Sequence, residues 1–104
     1  MEPNFKAPKL SPAERAAGKR HMAWVSEQPC CICGRHPPSI VHHCYHDRAT
    51  RYAGRRAPDS ETIPLCIECH AHPHPLAIHT DKKGWRERNG ADWSYVIRGG
   101  KDND

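Results

Sequence analysis

Apolar side chains are scarce in this chain. Hydrophobic residues make up 37% of its 104 positions, with a single Phe, so the core that one short domain can bury is small. Long hydrophobic runs are missing: no stretch could span a bilayer, and residues 1–10, with Pro3, Pro8, Lys6 and Lys9, hold no apolar segment of the kind a secretory leader needs. These absences argue against a helical membrane protein and set a cytoplasmic location as the expectation. Internal repeats and low-complexity segments are also lacking, apart from a short His/Pro run around His72.

With so little apolar material, something else must hold the fold, and six cysteines and nine histidines are the candidates. In a reducing compartment thiolates favour metal over disulfides. Cys30 and Cys33, then Cys66 and Cys69, form two Cys-x-x-Cys turns, the spacing with which separate parts of a chain supply the four donors of a tetrahedral zinc. Gly34 follows the first turn and lets its backbone amides face the thiolates. Cys31 and Cys44 fall outside this grammar and are read as non-ligands. A closed site of this kind contributes about 10–16 kcal/mol in small zinc peptides, more than the thin core can offer.

Residues 1–10 read as a flexible basic arm and residues 99–104 as a flexible tail, on either side of one domain over 11–98. Ser11-Pro12-Ala13-Glu14 starts a helix expected over 11–27, with Ser11 as N-cap and Glu14 in the capping-box position. Its apolar stripe, Leu10, Ala13, Ala17, Met22 and Val25 with Trp24 beside it, suits a brace on the zinc core. The core itself is expected over 29–79. It comprises the first turn, a short strand at residues 39–44, a polar loop at 46–58, a second strand at 62–65, the second turn, and a short helix. A C-terminal segment, 80–98, resumes helical signals at Thr80-Asp81 and closes at Gly90.

His42 and His43 end the first strand, and adjacent strand residues point to opposite faces. One can therefore ligate a metal while the other faces a substrate. His70 follows Cys69 on the expected helix, and His74 and His79 compete to join it; Pro73 and Pro75 weigh against His74. His21, His36, His46 and His72 read as ordinary surface histidines. Phosphodiester hydrolysis needs a base for water and a cation for the charge that develops on phosphate. His43 is assigned as the base, and His42, His70 and His79 as ligands of a divalent cation, Mg²⁺, Mn²⁺, Ni²⁺ or Zn²⁺. Asp59 is placed to orient the base or join the metal shell, against a plainer role capping its loop.

Taken together, Pro29-Cys-x-x-Cys-Gly34, His42-His43-Cys44, the Arg/Tyr/Gly-rich loop ending in Ala57-Pro58-Asp59, Thr62-Ile-Pro-Leu-Cys66, Cys69-His70, and Ile78-His79 followed by Trp85 and Gly90 resemble the HNH (ββα-metal) endonucleases. Within them they are most similar to the phage RecA-dependent (recombination enhancement function) nucleases. The resemblance spans residues 29–93. It implies a small α+β fold, a zinc-stapled, treble-clef-like ββα-metal core with an N-terminal helix and a short C-terminal helix. It also implies His43 as general base, Asp59 in the middle position of the motif, and His79 over His74 beside His42 and His70. DNA is the implied substrate, a RecA filament the implied partner, and a phage or prophage the implied source.

Net charge is +4, and its placement matters more than its sum. Arg48, Arg51, Arg55 and Arg56 crowd the loop beside the proposed site and are expected to hold DNA phosphates, with Lys82, Lys83, Arg86 and Arg88 extending the track. Two readings from other classes stand beside the nuclease: a zinc-held DNA-binding module without activity, and an adaptor that recruits a recombinase.

Overall fold

The computed structural model describes residues 10–71 and 75–97. The expected arm up to residue 9, His72, the alternative ligand His74 and the tail at 99–104 lie outside them. Helix α1 (Pro12–Ser26) begins as its sequence demands: the Ser11 hydroxyl accepts the Glu14 amide at 3.1 Å and the Glu14 carboxylate accepts the Ser11 amide at 2.8 Å. Of the apolar stripe only Val25 is buried, while Leu10, Ala13 and Ala17 are exposed. The helix still packs across both strands.

Those strands, β1 (Ile40–His43) and β2 (Thr62–Leu65), are antiparallel, with Ile40 opposite Leu65, Val41 opposite Pro64, His42 opposite Ile63 and His43 opposite Thr62. Opposed residues share a face and successive ones alternate. His42 therefore stands with the buried Ile63, and His43 looks out from the other side. All four residues of β2 are buried. Pro64 has no amide proton to donate, but its carbonyl accepts the Cys31 amide at 3.0 Å, which docks the first cysteine turn on this strand.

The loop between the strands is more ordered than its polar sequence predicts. It contains a one-turn helix, α2 (Arg48–Arg51), because the Thr50 and Arg51 amides both turn back to the Asp47 carbonyl. After β2 comes another single turn, α3 (Ile67–His70), and then α4 (Lys82–Asn89), where the Asp81 side chain accepts the Gly84 amide at 3.0 Å. A 3-10 turn at Asp92–Tyr95 follows Gly90 and has no counterpart in the sequence reading.

Ile63, Leu65, Ile78 and Trp85 form the core with Cys30, Cys44, Cys66 and Ala57. Each large side chain buried there contributes about 1.5–3 kcal/mol, too little in so small a set to offset the chain entropy of folding. A metal ion held by the cysteines would add the stability that this core lacks. The sulfurs of Cys30, Cys33, Cys66 and Cys69 all lie within 4.8 Å of one another. Cys33 and Cys66 are 3.6 Å apart, against about 3.8 Å for the edge of a tetrahedron at zinc–thiolate bond length.

Gly34, at φ 77°, folds the first turn back so that its amide reaches the Cys30 carbonyl at 2.9 Å, while the Ile32 amide points at the Cys30 sulfur at 3.4 Å. Burial works to raise the Cys30 pKa, but backbone amides around the turn outweigh it and bring the thiol down to about 7. Cys69 shifts the other way, raised by burial and by its neighbour Cys66. Thiols so close cannot ionise together unless a cation shares the space. Burial pushes Cys31 up to about 12 and also raises Cys44, so both remain neutral thiols outside the group.

The outcome is a small α+β fold whose four clustered cysteines can hold a metal ion. Among the described residues no helix is long and apolar enough to cross a membrane. Cys66→Ser should lose one equivalent of bound metal relative to wild type, measured by plasma emission, together with the cooperative change in tryptophan fluorescence on heating. Cys44→Ser should retain the metal. A Cys66→Ser protein that melts like wild type would show that the cluster does not hold the fold.

Candidate functional site

Three imidazoles meet beside the sheet. β1 delivers His42, α3 ends on His70, and the chain then returns alongside itself: the Ile78 amide donates to the Cys69 carbonyl at 2.9 Å and the His79 amide to the His70 carbonyl at 3.2 Å. That return sets His79 next to His70. One ring nitrogen from each of His42, His70 and His79 lies within 4.8 Å of the others, with Nε2 of His70 and Nε2 of His79 separated by 3.1 Å.

Burial, then His42 and His79, lower the His70 pKa to about 4; burial, then His42 and Lys82, lower that of His79. One ring can donate through Nε2 to the other, but Nδ1 of His70 is buried without a hydrogen-bond partner. A divalent cation fits this donor set: nitrogens at zinc–imidazole bond length span a tetrahedral edge of about 3.3 Å.

Asp92 fixes the orientation of the first ring. Its carboxylate is fully buried, with Oδ2 3.0 Å from His42 Nε2 and 2.6 Å from the Tyr45 amide, and Oδ1 3.1 Å from the His46 amide. Burial alone would raise this carboxyl, but His42 and the two amides outweigh it and hold it below the usual range. An ionised Asp92 can only accept, so His42 carries its proton on Nε2 and offers Nδ1 as a ligand atom.

His46 is set by the same logic. Its Nδ1 accepts the Asp92 amide at 2.9 Å, so its Nε2 donates to the Lys82 carbonyl at 2.9 Å. The surface reading of His46 is thus overturned: the ring is buried against Trp85 and ties β1 to α4 and the 3-10 turn.

On the other face of β1, His43 Nε2 lies 2.9 Å from Asp59 Oδ1, both side chains about a quarter exposed or less. With the carboxylate accepting, Nδ1 of His43 keeps its lone pair. Gly18 of α1 stands directly behind Asp59. A Cβ built there would meet Asp59 Oδ2 at 2.7 Å and Asp59 Cβ at 3.0 Å. Glycine inside a helix costs up to about 1 kcal/mol relative to alanine, and this close approach explains its presence. His42, His43, His70 and His79 line one open cleft of about 280 Å³ with Tyr45 and Arg56 at its sides.

A family model described as "Protein of unknown function (DUF968)" matches residues 2–101. The chain belongs to the DUF968 family. No curated protein and no solved structure matches it.

In this DUF968 protein the basic residues chosen from the sequence divide in two. Arg48 is spent on its own loop, donating to the Arg55 and Gly54 carbonyls at 2.9 Å each. Arg51 pairs with Glu61 at 3.3 Å and stacks 4.1 Å from the Trp93 ring centroid. Arg86 is bound to Asp47 at 2.8 Å and Arg88 reaches the Leu76 carbonyl at 3.4 Å. Arg48 and Arg56 both line the histidine cleft, and Arg56 has no structural duty of this kind among the described residues.

Asp92, His46 and Gly18 escaped the sequence reading. An isolated glycine within a helical pattern was the one available signal; Asp92 lies 50 residues from His42 and carries none.

Asp92→Asn should weaken Co²⁺ or Mn²⁺ binding to the histidine cluster by about 10- to 100-fold, measured by titration, with the cysteine-held metal unchanged. Equal affinity in the variant would remove Asp92 from the site. Gly18→Ala should forgo the helix stabilisation that alanine normally brings and should shift the His43 imidazole N–H resonance as Asp59 is displaced. A more stable variant with an unmoved resonance would mean that α1 does not set Asp59.

Proposed function

We propose that this protein is a metal-dependent endonuclease or nickase of the HNH type that hydrolyses DNA phosphodiester bonds. The observation that carries the reading is the pairing, across one open cleft, of a three-histidine cluster with a hydrogen-bonded His–Asp pair, the two supplied by adjacent strand positions. A closed structural site alone has no use for either feature.

In this reading His43 takes a proton from water at Nδ1, while Asp59 holds the ring by Nε2 and steadies the charge it gains. His42, His70 and His79 would hold the catalytic divalent cation, which when bound supplies charge to offset that developing on the phosphate and the leaving oxygen. Asp92 keeps His42 in the ligating tautomer. Arg56 offers a guanidinium at the cleft wall for a phosphate of the substrate. The four-cysteine site takes zinc, the metal that a closed tetrahedral thiolate set suits best. A RecA filament as partner belongs to the proposal on the strength of the sequence resemblance.

Wild type should nick supercoiled plasmid or cut single-stranded DNA in the presence of Mg²⁺, Mn²⁺, Ni²⁺ or Zn²⁺, and His43→Ala should lose about 100-fold or more of that rate while keeping its metal content. Parallel lanes with a RecA filament test the partner. If neither protein cuts under any condition, the chain is a zinc-held binding module.

A further inference from the structure

Helix α1 packs across both strands, yet most of its surface remains free for another use. Its single fully buried side chain is Val25, and it carries Arg15 and Lys19 four residues apart, on one face. Both line a groove of about 490 Å³ whose other wall comes from Arg55, Arg56, Pro58 and Asp59. This groove adjoins the histidine cleft: Arg56 lines both, and the His43–Asp59 hydrogen bond spans them, with His43 on the cleft side and Asp59 on the groove side.

Charge decides what the groove can hold. Arg56 from the loop, with Arg55, which has a partner of its own, faces a guanidinium and an ammonium from α1, and the one carboxylate in the lining, Asp59, is engaged with His43. Arg15 uses one nitrogen to hold the Leu10 carbonyl at 2.7 Å, and both it and Lys19 are exposed. Four residues of helix advance about 6 Å, close to the roughly 7 Å that two base-pair steps advance along a duplex axis. A small anion would need one or two of these cations; a row of cations running out of a cleft fits an extended polyanion.

We propose that α1, through Arg15 and Lys19, forms the second wall of a phosphate-backbone track that carries a DNA strand past Arg56 into the histidine cleft. The choice of DNA as occupant rests on the function proposed above. The track touches phosphates and not base edges, so it positions the strand without selecting sequence.

The test is fluorescence anisotropy of a labelled duplex across a salt series, performed in a His43→Ala background to prevent cleavage, with and without the double change Arg15→Gln and Lys19→Gln. The slope of log binding constant against log salt should become shallower by about 0.9 for each phosphate no longer neutralised, or about 1.8 for the pair, with unchanged melting. If DNA binds and the slope is the same in both proteins, the track is wrong and the nuclease reading stands. A shallower slope in a protein whose wild type never cuts would uphold the track and sink the nuclease reading. Absence of DNA binding at any salt overturns the track, and plasmid nicking by wild type then judges the nuclease reading separately.

Discussion

Four sulfur atoms from two turns more than thirty residues apart must share a space less than 5 Å across. Almost every other feature follows from that demand. Once Cys30 and Cys33 face Cys66 and Cys69, the Cys31 amide is brought to the Pro64 carbonyl, and β2 is covered along an edge that proline could not pair for itself. α3 starts directly after its N-cap Cys66 and lasts a single turn, just enough to bring His70 round to the end of β1. The place of His70 in the histidine cluster is therefore tied to the cysteine geometry.

Asp92 imposes a second constraint, of a different kind. A fully buried carboxylate is stable only if its lone pairs are filled by donors. Here the donors are a histidine of β1 and two amides of the segment after it. The Asp92 carboxylate dictates the His42 tautomer and so which nitrogen faces the histidine cluster, while its backbone amide dictates that of His46, whose other nitrogen binds α4. Removing the acid would not simply delete a hydrogen bond. It would leave the His42 imidazole free to take either tautomer.

What the sequence made legible was local. The capping box of α1, the Cys-x-x-Cys turns, both short strands and the Asp81 and Gly90 boundaries of α4 are each written within a few residues, and the structure has them where the sequence does. The meeting of His42, His70 and His79 was also within reach, because two of the three adjoin a recognisable turn or strand end. Pairings across the chain were not. Nothing near Asp92 marks it as the partner of His42, and His46 looks like a loop residue until Trp85 covers it. Arginines in a loop look alike in sequence, yet Arg48 and Arg51 are consumed by Gly54, Glu61 and Trp93. Arg56 faces the cleft. The same blindness hid the role of Gly18, whose reason is a carboxylate on another element.

Asp92 ties the histidine cluster to the far end of the chain. Its carboxylate holds the His42 ring 50 residues away, and its amide holds the His46 ring against Trp85. Loosening the 3-10 turn would therefore release the proton of His42 without touching the strand that carries it. The C-terminal segment acts as the latch of a cluster to which it contributes no ligand.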